Sequence, residues 1–242
     1  MQNVIRNRVE HSPHIHFRPA EILCSILEIN EKLLVKKFNG SLKNKFSNAT
    51  KQRILKNQDF LRRNITPELY CRIDRITHAE TGYIKCETGV VFNSVKLSNM
   101  LKNARFLFSF IATVGPEIDR EMKRQTKQRR LSDAFVLDVM ASLAIENMVD
   151  YIWKSVKAFC REKGLYTTLR LSPGYCDWPL EEQQKLFFLF KSRQSAITLS
   201  PSHLMTPRKT ISGIFGISQH AQDAEHNPCR RCHKSKCPTR RV

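Results

Sequence analysis

Hydrophobic positions along the chain recur with two different periods, and the change between them divides it. Between residues 20 and 37, Ile22, Ile26, Ile29, Leu33 and Leu34 fall at helical spacing. After Asn39-Gly40 a basic segment predicts a second helix around Ala49 to Leu61, and Thr66-Pro67 breaks it. Alternation then takes over. Tyr70 to Thr77, Gly82 to Glu87 and Val90 to Phe92 predict short strands. Ser94 predicts the cap of a short helix. Arg105 to Val114 is a strongly apolar strand with Phe106, Phe108, Phe110 and Ala112 on one face, ended by Gly115-Pro116. Pro116 suits the first turn of the next helix. The longest helix is expected from about Asp133 to Lys163, capped by Ser132 and closed by Gly164. Tyr166 to Leu171 reads as a strand, a helix is expected from Pro179 to about Lys191, Ile197 and Leu199 are strand-like, and Thr210 to Ile217 is a last strand.

Strands and helices mix here without a regular βαβ repeat, which predicts an α+β fold: a largely antiparallel twisted sheet flanked by helices. Three parts are expected: a basic, mainly helical region over 1–64, the α+β domain over 65–218, and a basic cysteine-rich tail over 219–242. The first 18 residues are polar, with His11, His14 and His16, and read as a disordered arm before they read as a metal site.

Two features stand out against this pattern. One is the run Arg170-Leu171-Ser172-Pro173-Gly174-Tyr175-Cys176-Asp177-Trp178-Pro179-Leu180. Pro173 fixes φ and Gly174 reaches backbone conformations closed to other residues, so the chain bends sharply there. Arg170 offers a planar cationic fork suited to a carboxylate or phosphate, and Tyr175 a ring and a hydroxyl. The run reads either as a small-molecule clamp or as a tight turn with a packed aromatic. The other feature is Glu146, which falls on the apolar stripe of the longest helix, three residues past Leu143 and seven before Trp153. A carboxylate there needs a partner, either a core arginine or a ligand, or an outlet to solvent.

Arg170, Pro173, Gly174 and Tyr175 resemble the ligand loop of the activation domain of cobalamin-dependent methionine synthase. Trp178-Pro179-Leu180, with Gln183, Gln184, Leu186, Phe187 and Leu189 after it, is similar to small free-standing relatives of that domain. Met205-Thr206-Pro207, Ser212-Gly213 and Ala112 to Glu117 add to the likeness, which spans about residues 65 to 218. The resemblance implies that 65–218 is an activation-like domain binding S-adenosylmethionine. Arg170, Ser172, Gly174 and Tyr175 would hold the ligand, with Glu146 supplied by the preceding helix. Tyr175 would also lie between the methyl donor and the corrin, its part in catalysis. The aspartate with which the full-length enzyme also holds its ligand has no assigned counterpart here. The methyltransferase and cobalamin-binding modules are absent from these 242 residues. The implied role is therefore an accessory one within a methyltransferase system: reductive reactivation and remethylation of a cobalamin or other corrinoid carried by a corrinoid protein or a methyltransferase lacking its own activation domain.

Charge and cysteine content adjust this picture. The formal net charge is +19, with ten basic residues against Asp59 alone between Lys32 and Arg63, five from Lys123 to Arg130, and six after Cys229. Such a surface suits an acidic partner, whether a corrinoid protein or an acidic electron donor. Nucleic acid is the usual inference from this charge, but no nucleic-acid fold signature is present and the aromatics do not interleave with the basic runs, so it is not the expected partner. No run is apolar enough to span a membrane, and Met1 to Phe17 lacks the apolar centre of a secretory signal, which predicts a cytoplasmic protein. There the eight cysteines read as core residues or metal ligands. Cys229, Cys232 and Cys237 have the spacing of zinc or iron–sulfur ligands, with Cys176 the candidate fourth beside the loop and His226 and His233 as alternatives. Two rival readings stay open: a basic nucleic-acid-binding module, and a metal-binding scaffold that kept the fold without the ligand site.

Overall fold

A computed structural model describes residues 14–17, 23–26, 34, 46–190 and 197–221. Seven strands form one antiparallel sheet. They are β1 (His14–Phe17), β2 (Glu68–Glu80), β3 (Tyr83–Cys86), β4 (Val91–Asn93), β5 (Ala104–Thr113), β6 (Tyr166–Thr167) and, after the short β7 (Thr198–Leu199) and β8 (Met205–Thr206), β9 (Thr210–Ser218). The order is β4-β3-β2-β5-β9-β6, with β1 also on β2, while β7 and β8 pair separately. β2, β5 and β9 form the centre. They are rich in β-branched and aromatic residues, whose side chains fit a pleated surface covered on both sides. The helices are α1 (Leu23–Ile26), α2 (Asn48–Asn64), α3 (Val95–Leu101), α4 (Glu117–Lys127), α5 (Leu131–Glu162) and α6 (Gln183–Phe188), the last entered through a 3-10 turn at Leu180–Glu182.

Strand alternation gives the sheet two apolar faces and hence two cores. On one face Leu69, Cys71, Phe108, Phe110, Ala112, Phe215 and Ile217 meet α5, with Ile26, Leu34 and Leu61 in the same cluster. Phe108 and Phe215 are cross-strand partners, stacked with ring centroids 4.5 Å apart. The face expected for Phe108, Phe110 and Ala112 is the one that meets the long helix, and Phe106 packs at its margin. On the other face Tyr70, Leu107, Ile111 and Ile214 meet α3, α6 and Trp178. Leu171 and Trp178 of the ligand-loop candidate pack on this second face, so the sheet separates Trp178 from most of α5.

Several expectations need correcting. Residues 14–17, expected within a disordered arm, form β1, because β2 offers an edge with unpaired backbone groups that a short strand can satisfy. Ser132 does not cap α5: the helix begins at Leu131, and no side chain caps it. Ser94 does cap α3, accepting from the Leu97 N–H at 3.0 Å. The strand over 166–171 is reduced to Tyr166–Thr167 plus an isolated bridge from Leu171 to Ile214. The helix expected to reach Lys191 ends at Phe188. Of the helix expected over 20–37, Leu23–Ile26 and Leu34 are helical, and the remainder lies outside the described residues.

Cys71, Cys86 and Cys160 are buried core residues. Burial pushes the Cys86 thiol up to about 12 and the Cys160 thiol up to about 11, and raises Cys71 well above the ordinary thiol range. They stay protonated and contribute packing. No described helix is long and apolar enough to cross a membrane.

Candidate ligand site

α5 carries Glu146 and Asp150 one turn apart on the same side. Two carboxylates at that spacing repel, so the helix surface there calls for a cation. Arg170 supplies it: Nη2 donates to Glu146 Oε2 at 2.9 Å and to Asp150 Oδ1 at 2.6 Å. The Arg170 side chain is 12% exposed, whereas Glu146 and Asp150 are 47% and 48% exposed. The guanidinium is thus tucked beneath two carboxylates that open to solvent. The sequence predicts a core arginine, a ligand or solvent for Glu146, and it meets both an arginine and solvent. Asp150 is a second acid at the site that the sequence pattern alone does not single out.

Arg170 reaches that position because its neighbours are tied down. Trp153 Nε1 donates to Thr168 O at 3.1 Å, fixing the chain to α5 just before Arg170. Thr168 Oγ1 accepts from the Gly216 N–H at 2.9 Å. Leu171 then exchanges both backbone bonds with Ile214, at 2.9 and 2.8 Å. This close approach requires a glycine at 213, because a Cβ there would sit 2.7 Å from Leu171 O, 2.8 Å from Phe110 Cζ and 3.0 Å from Ser172 Oγ.

Past Ser172 the chain turns. Gly174 takes φ +88°, a region that favours glycine. The Tyr175 N–H donates to Ser172 O at 3.2 Å, the Gly174 N–H to Trp178 O at 2.8 Å, and the Trp178 N–H to Tyr175 O at 3.0 Å. The result is a small closed loop with Tyr175 at its tip, 42% exposed, and Cys176 exposed beside it at φ +59°. Both readings of the run hold at once. It is a tight turn on a packed aromatic, Trp178, and it presents polar groups beside an ion-paired arginine.

Asp177 anchors the loop from outside. It accepts from Ser94 Oγ at 2.7 Å, from the Val95 N–H at 2.8 Å and from the Lys96 N–H at 3.1 Å, so it satisfies the first turn of α3 in addition to the Ser94 cap. Burial works against its charge, but the bonds from Ser94 and from the backbone at Lys96, Asp177 and Val95 prevail and hold its carboxyl below the ordinary range. A carboxyl with a lowered folded pKa stabilises the fold above its unfolded value, and that contribution is lost as pH falls through the folded value. Asp177→Ala is therefore expected to cost on the order of 1 kcal/mol at neutral pH, the worth of a helix cap. The difference from wild type should shrink below the ordinary carboxylate range. Urea titrations at pH 7 and pH 3 check both statements, and an unchanged midpoint at pH 7 would remove Asp177 from this role.

The remaining pieces of the motif converge behind the loop. Gln183 bridges Ser212 Oγ, at 3.2 Å, and His203 O, at 3.0 Å. Glu182 accepts from the Asn93 N–H at 3.1 Å and pairs with Lys185 at 2.6 Å. Of the residues expected at the site, Glu146, Arg170, Ser172, Gly174 and Tyr175 come from two segments that Arg170 joins. Cys229, Cys232 and Cys237, with His226 and His233, lie outside the described residues. Among the described residues no group of three or more histidine, cysteine, aspartate or glutamate side chains is placed to hold a metal ion.

No family model matches this chain, and no curated protein matches it. Among solved structures, that of the MetH reactivation domain bound to AdoHcy is similar to it, with a TM-score of 0.59 at 17% sequence identity, covering 84% of this chain and 78% of that one. The chain has the fold of the MetH reactivation domain: α+β, with an antiparallel sheet flanked by helices.

Proposed function

We propose that this protein binds S-adenosylmethionine at the loop 170–175 against Glu146, and so supports reactivation of a corrinoid carried by a separate protein. The observation that carries the reading is the ion-paired Arg170 beside the Gly174 turn, on a fold shared with a domain solved with AdoHcy. The donor set suits such a ligand. A guanidinium fork matches an amino-acid carboxylate, and half-exposed carboxylates match an ammonium or sulfonium. Arg170 would hold the ligand's carboxylate while Glu146 faces its positive charge. The backbone of Ser172 and Gly174 lines the turn, and Tyr175, exposed at its tip, would meet a partner's corrin. S-adenosylmethionine supplies a methyl group, the corrinoid accepts it, and this chain contributes positioning. The corrinoid partner is a methyltransferase or corrinoid protein without an activation domain of its own, and the basic surface favours an acidic one.

The test is titration calorimetry of S-adenosylmethionine into the wild type and into Arg170→Ala, with circular dichroism confirming that both are folded. A charge-assisted contact is worth about 1.5–3 kcal/mol, so the variant should bind about ten- to a hundredfold more weakly. Absence of binding by folded wild-type protein overturns the reading.

A further inference from the structure

The solvent face of α5 changes character along its length. Past Asp150 the helix becomes basic. Lys154, Lys157 and Arg161 follow at intervals of three and four residues, and with Ala158 and Glu162 they line an open groove. The small side chain of Ala158 leaves the room between the long ones. Over 154–163 the cations are Lys154, Lys157, Arg161 and Lys163, against Glu162 alone. Among the described residues none of Lys154, Lys157 and Arg161 is in an ion pair. Like charges one turn apart repel on a helix. The helix dipole favours Arg161, in the last turn, but its effect does not extend back to Lys154 and Lys157. Two of the lysines rest on rings: Lys157 Nζ lies 5.0 Å from the centroid of Trp153, and Lys163 Nζ 5.4 Å from that of Phe159. Trp153 is itself fixed by its bond to Thr168 O, so Lys157 is held at the edge of the groove before anything binds.

We infer that this groove binds the phosphate backbone of a single-stranded nucleic acid. Its described lining comes from α5 alone, so it runs open along one helix face and does not enclose a ligand as a small-molecule site does. A groove the width of one helix face takes one strand. Among the described residues the exposed large hydrophobic side chains lie elsewhere, those of α5 being Leu131 and Phe135 at its opposite end. This face therefore lacks the apolar centre around which a specific protein interface is built. Intervals of three and four residues put the cations about 4.5 and 6 Å apart along the helix axis. A strand offers a phosphate every few ångströms, so each cation finds one without a fixed register. Lysines, point charges on flexible stems, suit such contacts. The basic runs noted in the sequence do not interleave with aromatics, whereas Lys157 and Lys163 sit on Trp153 and Phe159. Binding through this groove is salt-sensitive and independent of base sequence. It stands apart from the ligand reading, and either can fail without the other.

Fluorescence anisotropy of a labelled oligouridylate of about twelve nucleotides, titrated over a range of salt, tests it. The chain is basic throughout, so the comparison needs a control of equal charge. One variant carries Lys154→Gln, Lys157→Gln and Arg161→Gln. The other carries Lys56→Gln, Lys123→Gln and Lys127→Gln, at exposed positions on α2 and α4. Circular dichroism and denaturation midpoints confirm that both are folded. Having lost three phosphate contacts, the groove variant should bind at least about tenfold more weakly than wild type, and its plot of log affinity against log salt should flatten by about 2, at roughly 0.7 per contact on a single strand. The control should stay within about threefold of wild type and keep its slope, since exposed charges away from the strand are screened. Poly-glutamate of equal charge should compete more weakly than unlabelled oligouridylate, because an extended peptide turns alternate side chains away from the groove. Equal losses in the two variants overturn the inference, as does a wild type that does not bind the strand. Poly-glutamate competing as well as the oligonucleotide also overturns it, and assigns the face to an acidic protein.

Discussion

Replacing Trp178 by alanine is expected to destabilise the protein by about 3–5 kcal/mol, the range for deleting a fully buried large aromatic. Trp178 is 1% exposed and lies in the second core with Phe92, Leu97 and Leu186. Its ring meets Phe92 edge-on, with centroids 5.6 Å apart and planes at 87°, an arrangement that adds to area burial alone. The cavity cannot close easily, because its walls come from β4, α3 and α6, each held by separate hydrogen bonds. Trp178 is also the far end of the ligand loop: its carbonyl accepts from Gly174 and its N–H donates to Tyr175. Truncation should therefore loosen the turn that places Tyr175 and weaken S-adenosylmethionine binding in whatever fraction remains folded. Chemical denaturation with calorimetry on the same samples separates the two effects. A loss below about 1.5 kcal/mol with unaltered ligand affinity would mean that the indole fills space without anchoring the loop.

What could be read from the sequence, and what could not, follows from the range of the interactions involved. The strand Arg105 to Val114 and its face were legible because period-2 alternation with large aromatics has few other outcomes. The cap at Ser94 was legible because the bond it accepts from Leu97 is local. The cap expected at Ser132 failed for the complementary reason: Asp133 pairs with both Arg130 and the distant Arg53, and the helix starts two residues earlier, at Leu131. β1 was not legible, since four residues of His-Ile-His-Phe carry too little alternation and owe their conformation to the edge of β2. At the site, Glu146 announced itself as a carboxylate on an apolar stripe. Asp150 falls on the same side one turn later, three residues before Trp153, yet reads in sequence like any surface acid. Its signal was the spacing of four from Glu146, which makes a second carboxylate a burden unless a cation serves both. Asp177 was hidden further, since its partners at 94–96 lie more than 80 residues away and no periodicity links them.

Those long-range ties explain why the motif is scattered along the chain. The loop needs a strand to rest on, which Ile214 provides. It needs room beneath it, which Gly213 provides, and a helix to aim its arginine, which Glu146 and Asp150 provide. Gln183 ties Ser212 to the segment before β8, so the pieces that looked separate in sequence share one hydrogen-bonded support. Conformational precision at Arg170 therefore depends on residues that would never touch the ligand.

Gly213→Val is expected to cost about 3 kcal/mol and to abolish ligand binding, because position 213 has no room even for a Cβ. The nearest atoms are a backbone oxygen, an aromatic carbon and the Ser172 hydroxyl, at 2.7, 2.8 and 3.0 Å from that point. Leu171 O cannot retreat without breaking its bond to the Ile214 N–H, and Phe110 is 2% exposed inside the first core. Ser172 is the part that can yield, and moving it carries along Arg170 on one side and the Gly174 turn on the other. The strain would thus fall on the ligand loop more than on the sheet. Gly213→Ala should lie between wild type and valine in both stability and affinity, since it adds the clash without the branches. Denaturation midpoints and S-adenosylmethionine affinities measured across the three proteins give the check. A graded loss of both quantities supports the close approach of strand and loop. If valine leaves the midpoint and the affinity as they are in wild type, Leu171 does not rest on Gly213, and the support assigned to Arg170 is wrong.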